Sequence, residues 1–535
     1  MVSTLNCTKS DLETYNLIID MKRISKIKAF DPKHYSINGI LIITAAISLI
    51  LSLSQILSDS VINSDGILYL SVASQIQDAG WQSATRLYNW LFYPYLIAQF
   101  STLTSLSLEY SAYAINSFFS AITCTTFILI TNAFGAKDKL TLWFASLIIL
   151  CYPNLNEYRN LIIRDHGYWA FYLLSCYFFI KTYKQVCLKS FIAFIASASL
   201  ATLFRVEGLI FLLALPIVIG FKQLSKHKSQ KLLFVTCTFI FLVLITLMFS
   251  TALNISDIPG LSKTTQLMHS FEASLNKTGI FIELTRGYLT KLSPQGFSED
   301  YAPAVLGITF FLILLVEIFS TTSPLYALII IAGFIKKATF SNNSVFRLWS
   351  YLVLLNTIIL CGFLVSRYFL AGRYPIALSL TLMLTLPFIS QHIYHNFQEN
   401  RFNPVQIKAM KLIVILFALL SADGLVSTGA SKNYLKEAGQ WLAFTQQKYS
   451  YTVYTNNQFI SFYADLKNKK RIKEPSTDAL LHKIKKGQLK EFDLLAIQIN
   501  RKNTEEKFTL FDSFKTQPLK TFNNKKGDSV FIFRQ

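Results

Sequence analysis

The sequence predicts a polytopic α-helical membrane protein with a small C-terminal soluble α/β domain. Three observations carry that expectation. Hydrophobic residues make up 52% of the 535-residue chain and charged residues only 15%, where a soluble protein of this size would carry ~25%. Apolar runs approaching the roughly 20 residues that cross a bilayer recur through most of the chain. From residue 430 onward they stop, and Glu, Lys, Asn and Asp take their place.

The elements follow in order. Lys22, Arg23, Lys26, Lys28 and Lys33 precede the first run, which places the 1–39 segment on the cytoplasmic side by the positive-inside rule. The run at 40–57 is too long for a signal-peptide core and reads as a retained helix. The loop 58–109 is then outside. It opens with NSDGILYLSVASQIQDAGW at 63–81, where Leu68, Val72, Ile76 and Ala79 recur at helical spacing between polar residues. That pattern predicts an amphipathic helix in the membrane–water interface. Further spans are predicted at 110–132, 140–155 and 166–182. The stretch 190–220 reads as two helices broken by Arg205-Val206-Glu207-Gly208, an internal ion pair at an outside turn. Spans at 232–252, 302–319, 325–335, 349–366, 374–390 and 411–428 follow. The second outside loop, 253–302, holds a helix near 280–292.

Twelve apolar segments result, yet an inside N-terminus, an inside Lys336-Lys337 and an outside 366–375 loop require an odd number. The expectation is therefore eleven to thirteen transmembrane helices, with 302–337 as the place where the count is open. The membrane domain covers 40–429. The soluble domain, 430–535, lies outside, with helices at 434–446 and 479–486 and strands at 451–454, 494–499 and 530–533. It has no Gly-rich phosphate loop. The net charge of +21 reflects inside loops and a Lys-rich tail rather than a nucleic-acid partner. The seven cysteines show no metal or disulfide spacing; five lie in apolar runs, where they act as small hydrophobes.

Polar residues on the outside face carry the functional case. Asp65 opens the interfacial helix, four residues before Tyr69 and so on its face. A carboxylate there suits a catalytic base or a metal ligand, but Asp at a helix start is also an ordinary cap. Between the third and fourth spans runs Glu157-Tyr158-Arg159, then Arg164-Asp165-His166. Ionisable residues at that depth are costly and face a cavity or one another; a capping Arg–Asp pair is the plain alternative. His166 reads as a hydrogen-bonding residue rather than a ligand. The third element is Ser366-Arg367-Tyr368-Phe369-Leu370-Ala371-Gly372-Arg373-Tyr374-Pro375. Arginine suits a phosphate through its fork of donors, and two arginines run against the charge rule for outside loops. Snorkelling to headgroups would also account for them.

With these residues in view, the chain resembles the GT-C membrane glycosyltransferases, near the protein O-mannosyltransferases and the lipid A aminoarabinose transferase. The resemblance rests on Asp65 in NSDGILYL, on EYRNLIIRDHGYW, on SRYFLAGRYP and on the outside domain with VYTNNQFISFY. It departs in one respect: several relatives have two adjacent acids in the first loop, whereas here Gly66 follows Asp65. Asp165, with Glu157 behind it, is then the best second carboxylate.

The resemblance implies an inverting sugar transfer from a polyprenyl-phosphate-linked donor to an extracytoplasmic acceptor, with Asp65 and Asp165 catalytic. Arg164, Arg367, Tyr368 and Arg373 would bind the donor phosphate. Asp65 and Asp165 could hold a divalent metal, although no ligand cluster demands one. The resemblance also implies membrane lipid as a partner, and a bacterial inner membrane with the site facing the periplasm. The rival class is a transporter or flippase of lipid-linked sugars. It would more typically show paired repeats, and none is evident.

Overall fold

The computed structural model describes residues 35–58, 61–136, 138–185, 187–224, 262–292, 299–340, 342–425, 432–466, 480, 482–484, 486–501 and 517–534. The basic N-terminal run and the span expected at 232–252 lie outside the described residues. Six described helices are long and apolar enough to cross a membrane. The chain is an integral membrane protein, predominantly helical, with a small C-terminal sheet.

Helix α1 (Ile37–Ser58) sets the pattern of the membrane region. Its buried positions are Ile40, Thr44, Ser48, Ser52 and Gln55, spaced to form one stripe. Ile42, Ile50, Leu53 and Leu57 are exposed on the other side. A helix with small polar residues inward and large apolar residues outward is built for lipid. The stripe is spoken for: the Thr44 and Ser146 hydroxyls share a hydrogen bond at 2.7 Å, and Gln55 Nε2 donates to the Leu425 carbonyl at 2.7 Å.

Helix α2 (Ser64–Thr85) is the expected first-loop helix, but only in part an interfacial one. Gly66, Ile67 and the residues Tyr69 to Ala73 are all buried, so its first half is packed on every side. Its second half is exposed over residues 77–82, around a kink at Gly80, whose φ is +75°. Periodicity finds one apolar face; it does not register that neighbours also cover the polar side.

The next helices are α3 (Phe92–Thr104), not expected from the sequence, α4 (Leu108–Ala133), α5 (Lys139–Leu150) and the short α6 (Pro153–Glu157). Then come α7 (Asp165–Lys184), α8 (Leu188–Phe204) and α9 (Gly208–Leu224), whose break falls where Arg205-Val206-Glu207 interrupts the apolar run. Beyond lie α10 (Ser262–Leu292), α11 (Ala302–Thr322) and α12 (Pro324–Ile335). The 302–337 stretch is thus two helices broken at Ser323, whose φ is +70°. Helices α13 (Asn343–Arg367), α14 (Ile376–Met383), α15 (Leu386–Gln398) and α16 (Pro404–Asp423) complete the membrane region. α16 has no buried residue and starts with a capping box between Asn403 and Gln406. Pro404 opens it and needs no N–H partner there.

The C-terminal part has α17 (Asn433–Tyr449), β1 (Val453–Thr455), α18 (Gln458–Tyr463), β2 (Leu494–Ile499), β3 (Lys520–Asn523) and β4 (Ser529–Arg534). The sheet order is β1-β2-β4-β3. β1 pairs with β2 in parallel, Val453 opposite Leu494. β4 is antiparallel to both β2 and β3. Alternate residues of β2 and β4 serve two cores. Leu494, Ala496, Val530 and Ile532 join the main core with α17 and α18, while Leu495, Ile497, Phe531 and Phe533 pack under Leu480 and Leu489. The β3 strand and α18 were not evident in the sequence, since each is too short for a periodic signal.

Candidate active site

Three chain segments far apart in sequence meet at one end of the bundle. The first leaves α1 and enters α2. Ile62 N–H donates to the Tyr463 hydroxyl of α18 at 2.9 Å, so the soluble domain braces this turn. Asn63 occupies the cap position but makes no side-chain cap. Its Oδ1 accepts from Ile162 N–H at 2.8 Å and its Nδ2 donates to the Ile162 carbonyl at 3.3 Å. This clasp draws the second segment, 158–165, alongside Asp65. Asp65 then sits in the first turn of α2, where the helix dipole favours a negative charge.

Gly66 is the price of that clasp. A Cβ there would lie 2.7 Å from Ile62 Cγ2, 2.8 Å from Asn63 Oδ1 and 3.0 Å from Ile162 Cβ. No second carboxylate fits after Asp65, and the packing accounts for the departure from a paired acid.

The second segment is tied on every side. Asn116 Nδ2 donates to the Leu161 carbonyl at 3.1 Å. His166 bridges Tyr158 O at 2.9 Å and Ser120 Oγ at 3.2 Å, which is the hydrogen-bonding role expected of it. Asp165 opens α7 and is buried. Next to it, a Cβ on Gly167 would lie 2.3 Å from the Phe204 ring. That approach brings the end of α8 against the start of α7 and delivers Arg205 to Asp165.

The third segment is 367–375. Arg373 Nη1 donates to Asp65 Oδ2 at 2.6 Å and lies 3.9 Å from Asp165 Oδ2. Arg205 Nη1 donates to Asp165 Oδ1, and its Nη2 to Glu207 Oε1. Its Nε reaches the same Glu207 oxygen at 3.0 Å. The result is a row of alternating charges: Asp65, Arg373, Asp165, Arg205, Glu207. Asp65 and Arg373 are 23% and 26% exposed, whereas Asp165, Arg205 and Glu207 are 3%, 5% and 7% exposed. The row therefore runs from the open surface into a sealed interior. Burial works against the charge on Arg373, but Asp165 and Asp65 outweigh it and hold its pKa above the usual arginine range.

Aromatic rings wall the cluster. The Arg205 guanidinium lies 4.5 Å from the Tyr374 ring and 5.5 Å from that of Tyr168, and Tyr374 stacks on Phe363 at 4.9 Å. A small cavity opens between Tyr168, Glu207, Asn356, Phe363 and Arg373. The Tyr158 phenol, which burial and then Glu157 push up to about 12, stays protonated at neutral pH and can donate a hydrogen bond.

The expected site residues thus divide. Asp65, Asp165 and Arg373 come together. Arg164 is half-buried beside them, 6.0 Å from the Trp90 ring; it feels the Asp165 charge but makes no direct ion pair with a carboxylate among the described residues. Arg367 is exposed at the end of α13, and Tyr368 turns away from the acids. Tyr368 takes a left-handed φ of +61°, stacks on Phe281 at 4.4 Å and shares a hydrogen bond with Thr278 Oγ1 at 2.9 Å, both on α10. Glu157 is exposed and outside the row. The pair Arg205–Glu207 was legible as an ion pair in an apolar run, but not its joining to Asp165. Among the described residues no group of three potential metal ligands occurs. The guanidinium of Arg373 holds the ground between Asp65 and Asp165, so these residues do not fit a divalent ion as arranged.

No family model matches the chain, and no curated protein matches it. Among solved structures, the chain is similar to the apo crystal structure of ArnT from Cupriavidus metallidurans. The TM-score is 0.40 at 12% identity, over 92% of this chain and 98% of that one. The likeness is loose and assigns no chemistry to this chain.

Proposed function

We propose that this protein is a membrane glycosyltransferase that moves a sugar from a polyprenyl-phosphate donor to an acceptor outside the membrane, with inversion and with Asp65 as the base. The observation that carries the reading is the juxtaposition of Asp65, Arg373 and Asp165 at the ends of membrane helices. Bases and anion-binding donors are needed together where a phosphate leaves and a hydroxyl attacks. Their site must lie at the bilayer surface if the donor is lipid-linked. The motifs NSDGILYL and SRYFLAGRYP, read from the sequence, support the same class.

The step balances simply. The acceptor oxygen or nitrogen forms a bond to the anomeric carbon as the bond from that carbon to the phosphate oxygen breaks. The phosphate leaves with the electron pair, and the acceptor's proton passes to Asp65. Arg373, already between two carboxylates, and Arg164, which makes no direct ion pair among the described residues, are the groups suited to the charge developing on the phosphate. Arg367, at the exposed end of α13, suits an outer contact with the donor. The sealed Asp165 is too enclosed to receive an acceptor directly, which favours Asp65 for the proton transfer.

Transfer from a polyprenyl-phosphate sugar by the purified, folded protein tests the reading, with products followed by mass spectrometry. Turnover in the native chain and its loss in Asp65→Asn are expected. Near-normal turnover in Asp65→Asn would leave Asp65 as a helix-end residue. Absence of transfer with every such donor would return the chain to the lipid-linked-sugar transporter class.

A further inference from the structure

The row of charges continues past the residues the proposed chemistry needs. Arg205 and Glu207 come from the turn between α8 and α9, a segment that contributes no acid or base to the reaction as written. Both are almost sealed from solvent, and placing two charges there costs free energy unless each is paired. Their arrangement is directional. Glu207 takes the Nε and Nη2 edge of the guanidinium through a single oxygen. That leaves Nη1 aimed at Asp165 Oδ1. The Tyr374 ring, 4.5 Å away, covers the guanidinium, and Phe363 stacks behind Tyr374. Arg205 therefore has one orientation. With Oδ1 of Asp165 engaged, Oδ2 is the oxygen that faces Arg373 at 3.9 Å.

We propose that Glu207, acting through Arg205, is a positioning residue for Asp165. The pair fixes which carboxylate oxygen faces Arg373, and so where Arg373 stands between Asp65 and the incoming phosphate. This rests on the transferase reading above. Glu207 touches neither donor nor acceptor in it. Tyr374 belongs to the same device: the residue after Arg373 in the chain covers Arg205, so the 367–375 loop meets Asp165 directly through Arg373 and indirectly through Arg205.

The test uses the full-length protein in lipid nanodiscs with a polyprenyl-phosphate sugar, comparing Glu207→Gln, Asp165→Asn and the double variant. The glutamine keeps an acceptor oxygen for Arg205 but loses the charge. Misplacing Asp165 should lower kcat about 10- to 100-fold, with the donor KM little changed. The double variant should be no worse than Asp165→Asn alone, because residues that act as one unit are not additive. Arg205→Lys, which keeps the charge but cannot span two carboxylates, should resemble Glu207→Gln. It also serves if the glutamine variant fails to fold. A normal kcat in folded Glu207→Gln or Arg205→Lys, or losses that add to that of Asp165→Asn, would overturn the positioning role while leaving the transferase reading intact. A native protein without transfer activity would overturn both, and the two failures are told apart by the native control.

Discussion

Two buried arginines lie in or against the same loop and do opposite work. Arg159, six residues before Asp165, is 1% exposed. It donates to Asn156 Oδ1 at 2.7 Å, to Ser48 O at 2.9 Å and to the hydroxyls of Ser48 at 3.0 Å and Ser52 at 2.8 Å. Among the described residues no carboxylate reaches it. Arg205 is as deeply buried but meets two carboxylates. The difference teaches how to read charge in a membrane interior. A cation satisfied by neutral oxygens of a helix stripe is a staple: it anchors the 158–164 loop to α1 and makes no ion pair with the acids of the site. A cation set between acids fixes their positions and tunes the charge around them. Both look alike in the sequence, as an arginine beside an apolar run.

The largest effect that could break this contrast is at the open end of the row. Asp65→Asn should lower turnover about 10²- to 10⁴-fold without loss of folding, since Asp65 is partly exposed and its neighbour Asn63 makes the clasp. Turnover and size-exclusion profile on the same preparation check it. On the staple side, Arg159→Leu should cost about 1–3 kcal/mol of stability from lost charge-assisted hydrogen bonds. Its turnover per folded molecule should match the native chain. A thermal-unfolding series with activity of the soluble fraction reads both, and a specific loss of turnover would place Arg159 in the site after all.

Arg164→Lys should raise the donor KM about tenfold, the cost of one charge-assisted bond. Arg367→Lys should raise it less, because Arg367 is exposed and outside the row. Equal effects would show that exposure in the resting protein is a poor guide to where the phosphate lies. Gly66→Ala should cost about 1–3 kcal/mol from overpacking against Ile62 and Ile162, and it should lower turnover by shifting Asp65, as kinetics beside a melting curve would reveal.

The smallest effect comes from outside the membrane. Backbone N–H of Arg501, then the Asn524 amide, hold the Asp528 carboxyl below its usual range. A carboxyl depressed on folding adds stability that is present above its unfolded pKa and lost as pH falls through the folded value. Protection factors for hydrogen exchange across 520–534, taken relative to the intrinsic rate at each pH, should therefore fall under acid, and Asp528→Asn should remove most of that dependence.

The sequence by itself determined the membrane class, the change of character at 430 and most long helices, because burial in lipid demands long apolar runs. It also picked out Asp65, Asp165 and Arg373, since charge at span ends is conspicuous against such a background. The break at Arg205 was legible for the same reason, whereas the 302–337 stretch stayed open in the sequence until the break at Ser323 was seen. Only the tertiary structure decided which charges meet. The clasp of Asn63 on Ile162 joins residues 99 positions apart, and the Asp65–Arg373 pair joins residues 308 apart. Neither distance leaves a local pattern. Tertiary packing also buried both sides of the first half of α2, where periodicity implied a surface helix. It left no room for a side chain at Gly66, where a second acid was missing. It separated Arg159 from Arg205, because the partners that make one a staple and the other part of a charged row come from different helices.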